Sequence, residues 1–250
     1  MRKFNFKINK KKIGLNYPTY FIADIAANHD GNFQKAIDLI NFAKECGADA
    51  AKFQHFNAET IVSNKTFSEM SSKLSHQSSW EKSVYDVYKD ASLNLEWTKK
   101  LELECKRIGI DFFTAPYSLD LIDYVNKYVC AFKVGSGDIT WIESIKKMAK
   151  KNKPIILASG ASSMTDVKRA VTSIKKINKK ICLMQCNTNY TALDDNLKYI
   201  NLNVLKSYRK NFPGVVLGLS DHTHGHSTVL GAITLGARMI EKHFTLSNKL

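Results

Sequence analysis

Eight times along this chain a short, nearly continuous apolar run is set against a longer stretch of helical period, and few folds accept that alternation. Runs that are apolar on both faces need helices on both sides, the condition of a parallel sheet. The runs are 20–26 (YFIADIA), 50–54 (AAKFQ), 111–115 (DFFTA), 130–134 (CAFKV), 154–158 (PIILA), 181–186 (ICLMQC), 215–220 (VVLGLS) and 237–243 (ARMIEKH). Helical patterns cover 32–46, 84–91, 96–107, 118–127, 141–150, 163–176, 196–209 and 227–235. Glycine closes several of them before the next run, as in KECGADAAKF, KRIGIDFF and TLGARMIEKH. Eight strands are enough to close a barrel, so the expected class is α/β, a (β/α)₈ TIM barrel over 20–250 preceded by an N-terminal extension at 1–19. A doubly wound sheet is the competing architecture, but no GxGxxG follows the first run. The chain stops at Leu250, directly after the eighth run, and the reading is a barrel truncated there without its last helix. The polar, Ser-rich segment 55–83 has the length of a lid or binding loop.

The 250 residues suffice for one such barrel, and 44% apolar content with four prolines excludes a disordered or fibrous chain. No apolar stretch approaches a membrane span, and the basic N-terminus lacks the apolar centre of a signal peptide. Five cysteines without a CxxC fit a reducing cytoplasm. The net charge of +14 is spread along helical stretches such as KRAVTSIKKINKK, which argues against a nucleic-acid partner and for the steering of anionic substrates.

In a barrel the chemistry belongs where strands end. Those ends carry Asp24, Asn28 and His29; Lys52, Gln54 and His55; Thr114; Lys133, Ser136 and Asp138; Ser159; Gln185, Asn187, Asn189 and Tyr190; Ser220, Asp221 and His222; Glu241 and His243. His222 and His243 end strands seven and eight, so two imidazoles can meet at one divalent metal; the alternative is a pair of hydrogen-bonding loop histidines. Glu241 shares a strand side with His243, where it could hold a metal-bound water or a substrate hydroxyl. Lys52 and Lys133 sit inside apolar strands and need anionic partners. A substrate with a carboxylate and a phosphate would supply them, and a Schiff-base lysine is the other reason to bury one. Asp138 follows the Gly135-Ser136-Gly137 turn and serves either as general acid–base or as the cap of helix 141–150. Ser159-Gly160 opens a helix, a candidate phosphate contact. Asn187, Asn189 and Tyr190 offer neutral donors. Cys186 has only amides as apparent helpers, so it reads as a buried structural thiol.

The segments FIADIAANHDG (21–31), AAKFQHFNAETIVS (50–63), FFTAPYS (112–118), FKVGSGDITW (132–141), ILASGAS (156–162), LMQCNTNY (183–190), GLSDHTHG (218–225) and IEKHFT (240–245) resemble, in order, those of the N-acetylneuraminate synthase family with its legionaminic and pseudaminic acid relatives. The resemblance implies condensation of phosphoenolpyruvate with an open-chain N-acetylated hexosamine, giving a nonulosonic sugar acid and phosphate. It implies a divalent metal, Mn²⁺ first with Mg²⁺ or Co²⁺ as alternatives, on His222 and His243. The phosphoenolpyruvate lysines fall on Lys52 and Lys133, and substrate positions on Gln54, Thr114, Ser136, Ser159, Asn187, Tyr190 and Ser220. Catalytic carboxylates fall on Asp24, Asp138 and Glu241. The partners implied are the two substrates, with neither nucleic acid nor membrane, and a homodimer for a full-length chain.

Three departures stand out. Asp24 and Asp138 replace glutamates common in the family, shortening each reach by one methylene. Thr191 replaces a proline. The Gly-Pro-Asp-His segment and the C-terminal antifreeze-like domain, which contributes an arginine to sugar binding, are not in the sequence. The rival readings are another phosphoenolpyruvate-dependent synthase, of the octulosonate or heptulosonate phosphate type, and a truncated, catalytically silent barrel. The first would need a second basic cluster at the rim, and none is evident.

Overall fold

A computed structural model describes residues 5–69, 81–188 and 194–247. Two short strands come first. Phe6–Ile8 (β1) and Lys11–Ile13 (β2) pair antiparallel, with Phe6 opposite Ile13. Phe6, Ile8 and Ile13 are buried in the same core as Tyr20 and Ile22, so this hairpin packs as part of the barrel. Asn9, in the hairpin turn, donates from Nδ2 to Asp111 Oδ1 at 2.6 Å and fixes the hairpin to the N-terminal end of the strands.

The expected barrel follows. Strands Tyr20–Ala26 (β3), Ala50–His55 (β4), Asp111–Pro116 (β5), Phe132–Val134 (β6), Ile155–Ala158 (β7), Ile181–Cys186 (β8), Val216–Asp221 (β9) and Met239–His243 (β10) are parallel and close on themselves, β10 pairing with β3. The helices are Phe33–Glu45 (α1), Ala58–Ile61 (α2), Asn64–Glu69 (α3), Val84–Ala91 (α4), Trp97–Ile108 (α5), Leu119–Val125 (α6), Ile142–Lys150 (α7), Met164–Lys175 (α8), Val204–Asn211 (α9) and Ser227–Thr234 (α10). Local chemistry sets their starts. Asn32 accepts from the Lys35 N–H to open α1, and Ser163 with Asp166 forms a capping box at α8. Among the described residues no helix follows β10, and no helix is long and apolar enough to cross a membrane.

Alternation along each strand separates a barrel interior from a layer facing the helices. Gly218 shows how tightly the interior is filled: a Cβ there would lie 2.7 Å from the Met239 carbonyl and 2.9 Å from Met184 Cγ. The helix expected over 196–209 divides instead into a 3₁₀ turn, Asp194–Tyr199, and α9. The Asn187 amide takes the Tyr199 carbonyl at 2.9 Å, removing an acceptor that a continuous helix would use. The described part of the segment 55–83 holds α2 and α3; residues 70–80 of it lie outside the described residues.

Candidate active site

Strand register places the site. His243 pairs with Asp24 and Asp24 with Lys52, while Glu241 pairs with Ser220 and Ser220 with Cys186. Two rows of polar side chains therefore cross the upper barrel. Asp24 Oδ2 is 2.8 Å from Lys52 Nζ, Glu241 Oε2 is 3.6 Å from the same nitrogen, and Glu241 Oε1 is 3.2 Å from Lys133 Nζ. Ser220 Oγ donates to Glu241 Oε1 at 3.0 Å.

All four charged groups are about 3% exposed, and two positive charges meet two negative ones. The anionic partners that the sequence reading sought in a substrate are thus first of all Asp24 and Glu241. Burial works against the Lys52 ammonium, but Asp24 and Glu241 outweigh it and raise its pKa. Burial likewise opposes the Glu241 carboxylate, while Lys133 and Lys52 hold it well below the usual range. Asp24 Oδ1 and Glu241 Oε2 are nevertheless buried without a hydrogen-bond partner among the described residues, the latter facing the Lys52 ammonium at 3.6 Å, beyond hydrogen-bond reach.

At the rim the His222 and His243 rings lie 5.1 Å apart, centre to centre, and His243 Nδ1 is 3.8 Å from Asp24 Oδ2. His222 Nδ1 is 2.9 Å from the Asn187 carbonyl. A carbonyl only accepts, so Nδ1 carries the proton and Nε2 keeps its lone pair. Burial, then the neighbouring His243, holds the His222 pKa at about 4, so its ring is neutral. Two imidazoles on adjacent strand ends, beside a carboxylate with an unpartnered oxygen, fit two ligands of a divalent cation whose other positions go to water or substrate. Among the described residues no group of three or more His, Cys, Asp or Glu side chains is poised for a metal.

A third cluster lies across the mouth. Thr188 Oγ1 donates to Ser136 Oγ at 2.9 Å, and both press on Gly160, where a Cβ would overlap Thr188 Oγ1 and Ser136 Cβ. Gly160 also has φ +45°, so this cradle tolerates glycine alone. Thr188 was not singled out from sequence. The signal for it existed, since it stands two residues beyond Cys186, which faces the interior.

Other expected residues fall differently. Asp138 does not cap α7, whose N-cap residue is Trp141. Its Oδ2 packs over Gly135 beside the Tyr117 hydroxyl, which also accepts from Gln54 Nε2 at 3.3 Å. Burial raises the Asp138 pKa against the pull of Lys133. Ser159 Oγ gives its proton to the Met184 carbonyl at 3.0 Å, so as placed it can only accept.

Thr114, expected among the substrate positions, has its hydroxyl engaged within the chain. It stands in register with Phe53 rather than Lys52, and its hydroxyl is held by His55 Nδ1 at 2.8 Å and the Phe53 carbonyl at 2.9 Å. His55 Nε2 in turn meets Thr98 of α5 at 2.8 Å, so Thr114 faces the helical layer. Asn187 likewise has both ends of its amide bonded within the chain, to Gln185 Nε2 at 2.7 Å and to the Tyr199 carbonyl. Cys186 is in the interior, its Sγ 3.9 Å from His222 Nδ1, and burial raises its pKa, which keeps it a thiol. Asn189 and Tyr190 lie outside the described residues.

The family model described as the NeuB family matches residues 39–250. The chain belongs to the NeuB family. It is 35% identical over 239 residues to the N,N'-diacetyllegionaminic acid synthase of Campylobacter jejuni, covering 93% of this chain and 69% of that protein. It is 32% identical over 236 residues to the human N-acetylneuraminate-9-phosphate synthase, covering 94% and 64%. A solved structure of the sialic acid synthetase of Leptospira borgpetersenii, in complex with citrate, superposes with a TM-score of 0.86 at 26% identity, covering 99% of this chain and 80% of that one. The chain spans about two thirds of the length of the curated relatives it matches.

Proposed function

We propose that this NeuB-family barrel joins phosphoenolpyruvate to an open-chain N-acetylated hexosamine, giving a nonulosonic, sialic-acid-like sugar acid and phosphate. The observation that carries the reading is the meeting, at one barrel mouth, of the Asp24–Lys52–Glu241–Lys133 quartet, two imidazoles and the Ser136–Thr188–Gly160 cradle.

The quartet is neutral as it stands, so phosphoenolpyruvate binds by taking over lysine N–H groups now turned toward Glu241 and Asp24. The hydroxyl cradle receives its remaining anionic oxygens. Mn²⁺ is the first choice of cation, with Mg²⁺ or Co²⁺ as alternatives; held by His222 Nε2 and by His243, it would supply Lewis-acid polarisation of the acceptor carbonyl.

C3 of phosphoenolpyruvate forms the new bond to the aldehyde carbon, water adds at C2, and the C2–O bond to phosphate breaks. Asp138, whose proton burial favours, donates to the developing hydroxyl. Asp24 Oδ1 and Glu241 Oε2 have lone pairs open to accept from water or a substrate hydroxyl. In a full-length relative-sized chain we place this barrel in a homodimer, working in the cytoplasm.

Phosphate release from phosphoenolpyruvate with Mn²⁺ and a panel of unphosphorylated and phosphorylated N-acetylhexosamines tests the reading. Release dependent on one unphosphorylated hexosamine is the expected result. Release only with phosphorylated sugars, or none with any, would overturn it.

A further inference from the structure

We propose that Gln185 and Asn187 are positioning residues for a divalent-cation site at His222, fixing which imidazole nitrogen keeps its lone pair. The inference rests on the proposed function in taking a divalent cation as the ligand.

The bond directions follow from two backbone carbonyls, which can only accept. The Tyr199 carbonyl lies 2.9 Å from the Asn187 amide nitrogen, so that end of the amide is the NH₂ and Oδ1 faces the other way. Oδ1 is met at 2.7 Å by Gln185 Nε2, which must therefore donate. The Asn187 amide is thus clamped at both ends, between β8 and the 3₁₀ turn Asp194–Tyr199. Gln185 is itself only 5% exposed, so water competes little for its bond to Asn187, whereas the bond to the Tyr199 carbonyl is at the surface. What the clamp holds still is the backbone of residue 187, and the carbonyl of that residue accepts from His222 Nδ1 at 2.9 Å.

A neutral imidazole has one proton and one lone pair, and only the lone pair can bind a cation. With Nδ1–H tied to the Asn187 carbonyl, the lone pair stays on Nε2 in a ring 5.1 Å from that of His243. Without Gln185 the amide swings, the carbonyl shifts, and part of the population carries its proton on Nε2, where it blocks ligation. Partners of this kind around a ligating histidine are worth about 10- to 100-fold in metal affinity.

The test uses the purified chain, with Gln185→Leu and Asn187→Ala, and reads two quantities. Nitrogen NMR of the metal-free proteins reports the His222 tautomer, and calorimetry with Mn²⁺ reports affinity; thermal midpoints show that the variants are folded. Expected are an Nδ1–H ring in the wild type, a mixture in both variants, and Mn²⁺ affinity lowered about 10- to 100-fold. A merely structural role would move the midpoint and leave the tautomer unchanged. If the wild type binds Mn²⁺ and both variants keep its tautomer and affinity, this inference falls alone. If the wild type binds no Mn²⁺, the cation in the proposed function falls with it.

Discussion

The two ends of the barrel handle buried polarity in opposite ways. At the N-terminal end Tyr20 Oη donates to Asp111 Oδ2 at 2.6 Å, Asn9 binds the other oxygen of the same carboxylate, Lys11 pairs with Asp49, and Lys153 donates to the Val129 carbonyl at 2.7 Å. A cavity of about 840 Å³ opens there, lined by Lys10, Lys106, Tyr128 and Lys153 among others; among the described residues the one buried atom left without a partner at this end is Asn126 Oδ1, on the residue whose carbonyl accepts from Lys153. At the C-terminal end, Asp24 Oδ1, Glu241 Oε2 and His29 Nε2 are buried without partners, three of the four such atoms among the described residues. Volume and unmet polarity point to opposite ends. Unmet hydrogen-bonding capacity marks where a ligand belongs, and in a barrel of this kind the opposite face serves stability.

The contrast is broken most sharply at Glu241. Glu241→Ala leaves Lys52 with Asp24 alone and takes from Lys133 its carboxylate at 3.2 Å, and a broken buried pair costs about 3–5 kcal/mol. Thermal or urea unfolding should show that loss, and a change within the range of ordinary surface substitutions would mean the quartet is not held as described. Gly160→Ala comes next, at about 1–3 kcal/mol from overpacking, together with loss of phosphoenolpyruvate binding by calorimetry. Binding that survives this substitution would remove the cradle from the site.

The third prediction concerns acid. Burial holds the His55 pKa at about 3, well under the ordinary 6.5. Between these values the unfolded chain binds more protons than the folded one, so this contribution is complete above pH 6.5 and is lost as pH falls toward 3. The slope approaches about 1.4 kcal/mol per pH unit. Unfolding free energies of wild type and His55→Gln, measured across that window, should converge as pH falls; parallel curves would contradict a neutral, buried His55.

The smallest effect lies at Ala26, which follows Asp24 through a β-bulge at φ +50°. Ala26→Gly relieves left-handed strain, offset by glycine's greater unfolded freedom, for a net gain below about 1 kcal/mol. A destabilised Ala26→Gly would show that the bend is held without strain.

The strands were legible because a parallel barrel demands apolar runs at its centre, and all eight lie where the runs predicted them. The rim was legible as a set of positions but not as a set of directions. Thr114 and Lys52 both stand in expected strands, yet which of them faces inward depends on the register between β4 and β5, a long-range pairing with no local signature. The directions of Asn187 and Thr188 are hidden for a similar reason, because the chain has just left β8 and their bonds to Tyr199 and Ser136 orient them. The hairpin at 6–13 was hidden by its lysines, which dilute the alternation of Phe6, Ile8 and Ile13.

The most direct test is calorimetry of phosphoenolpyruvate binding to the wild type, to Lys133→Met at the C-terminal end and to Lys106→Met beside the opposite cavity. The account predicts that Lys133→Met abolishes measurable binding and Lys106→Met leaves it at the wild-type value. Binding lost with Lys106→Met and kept with Lys133→Met would put the ligand at the other end of the barrel and contradict the assignment.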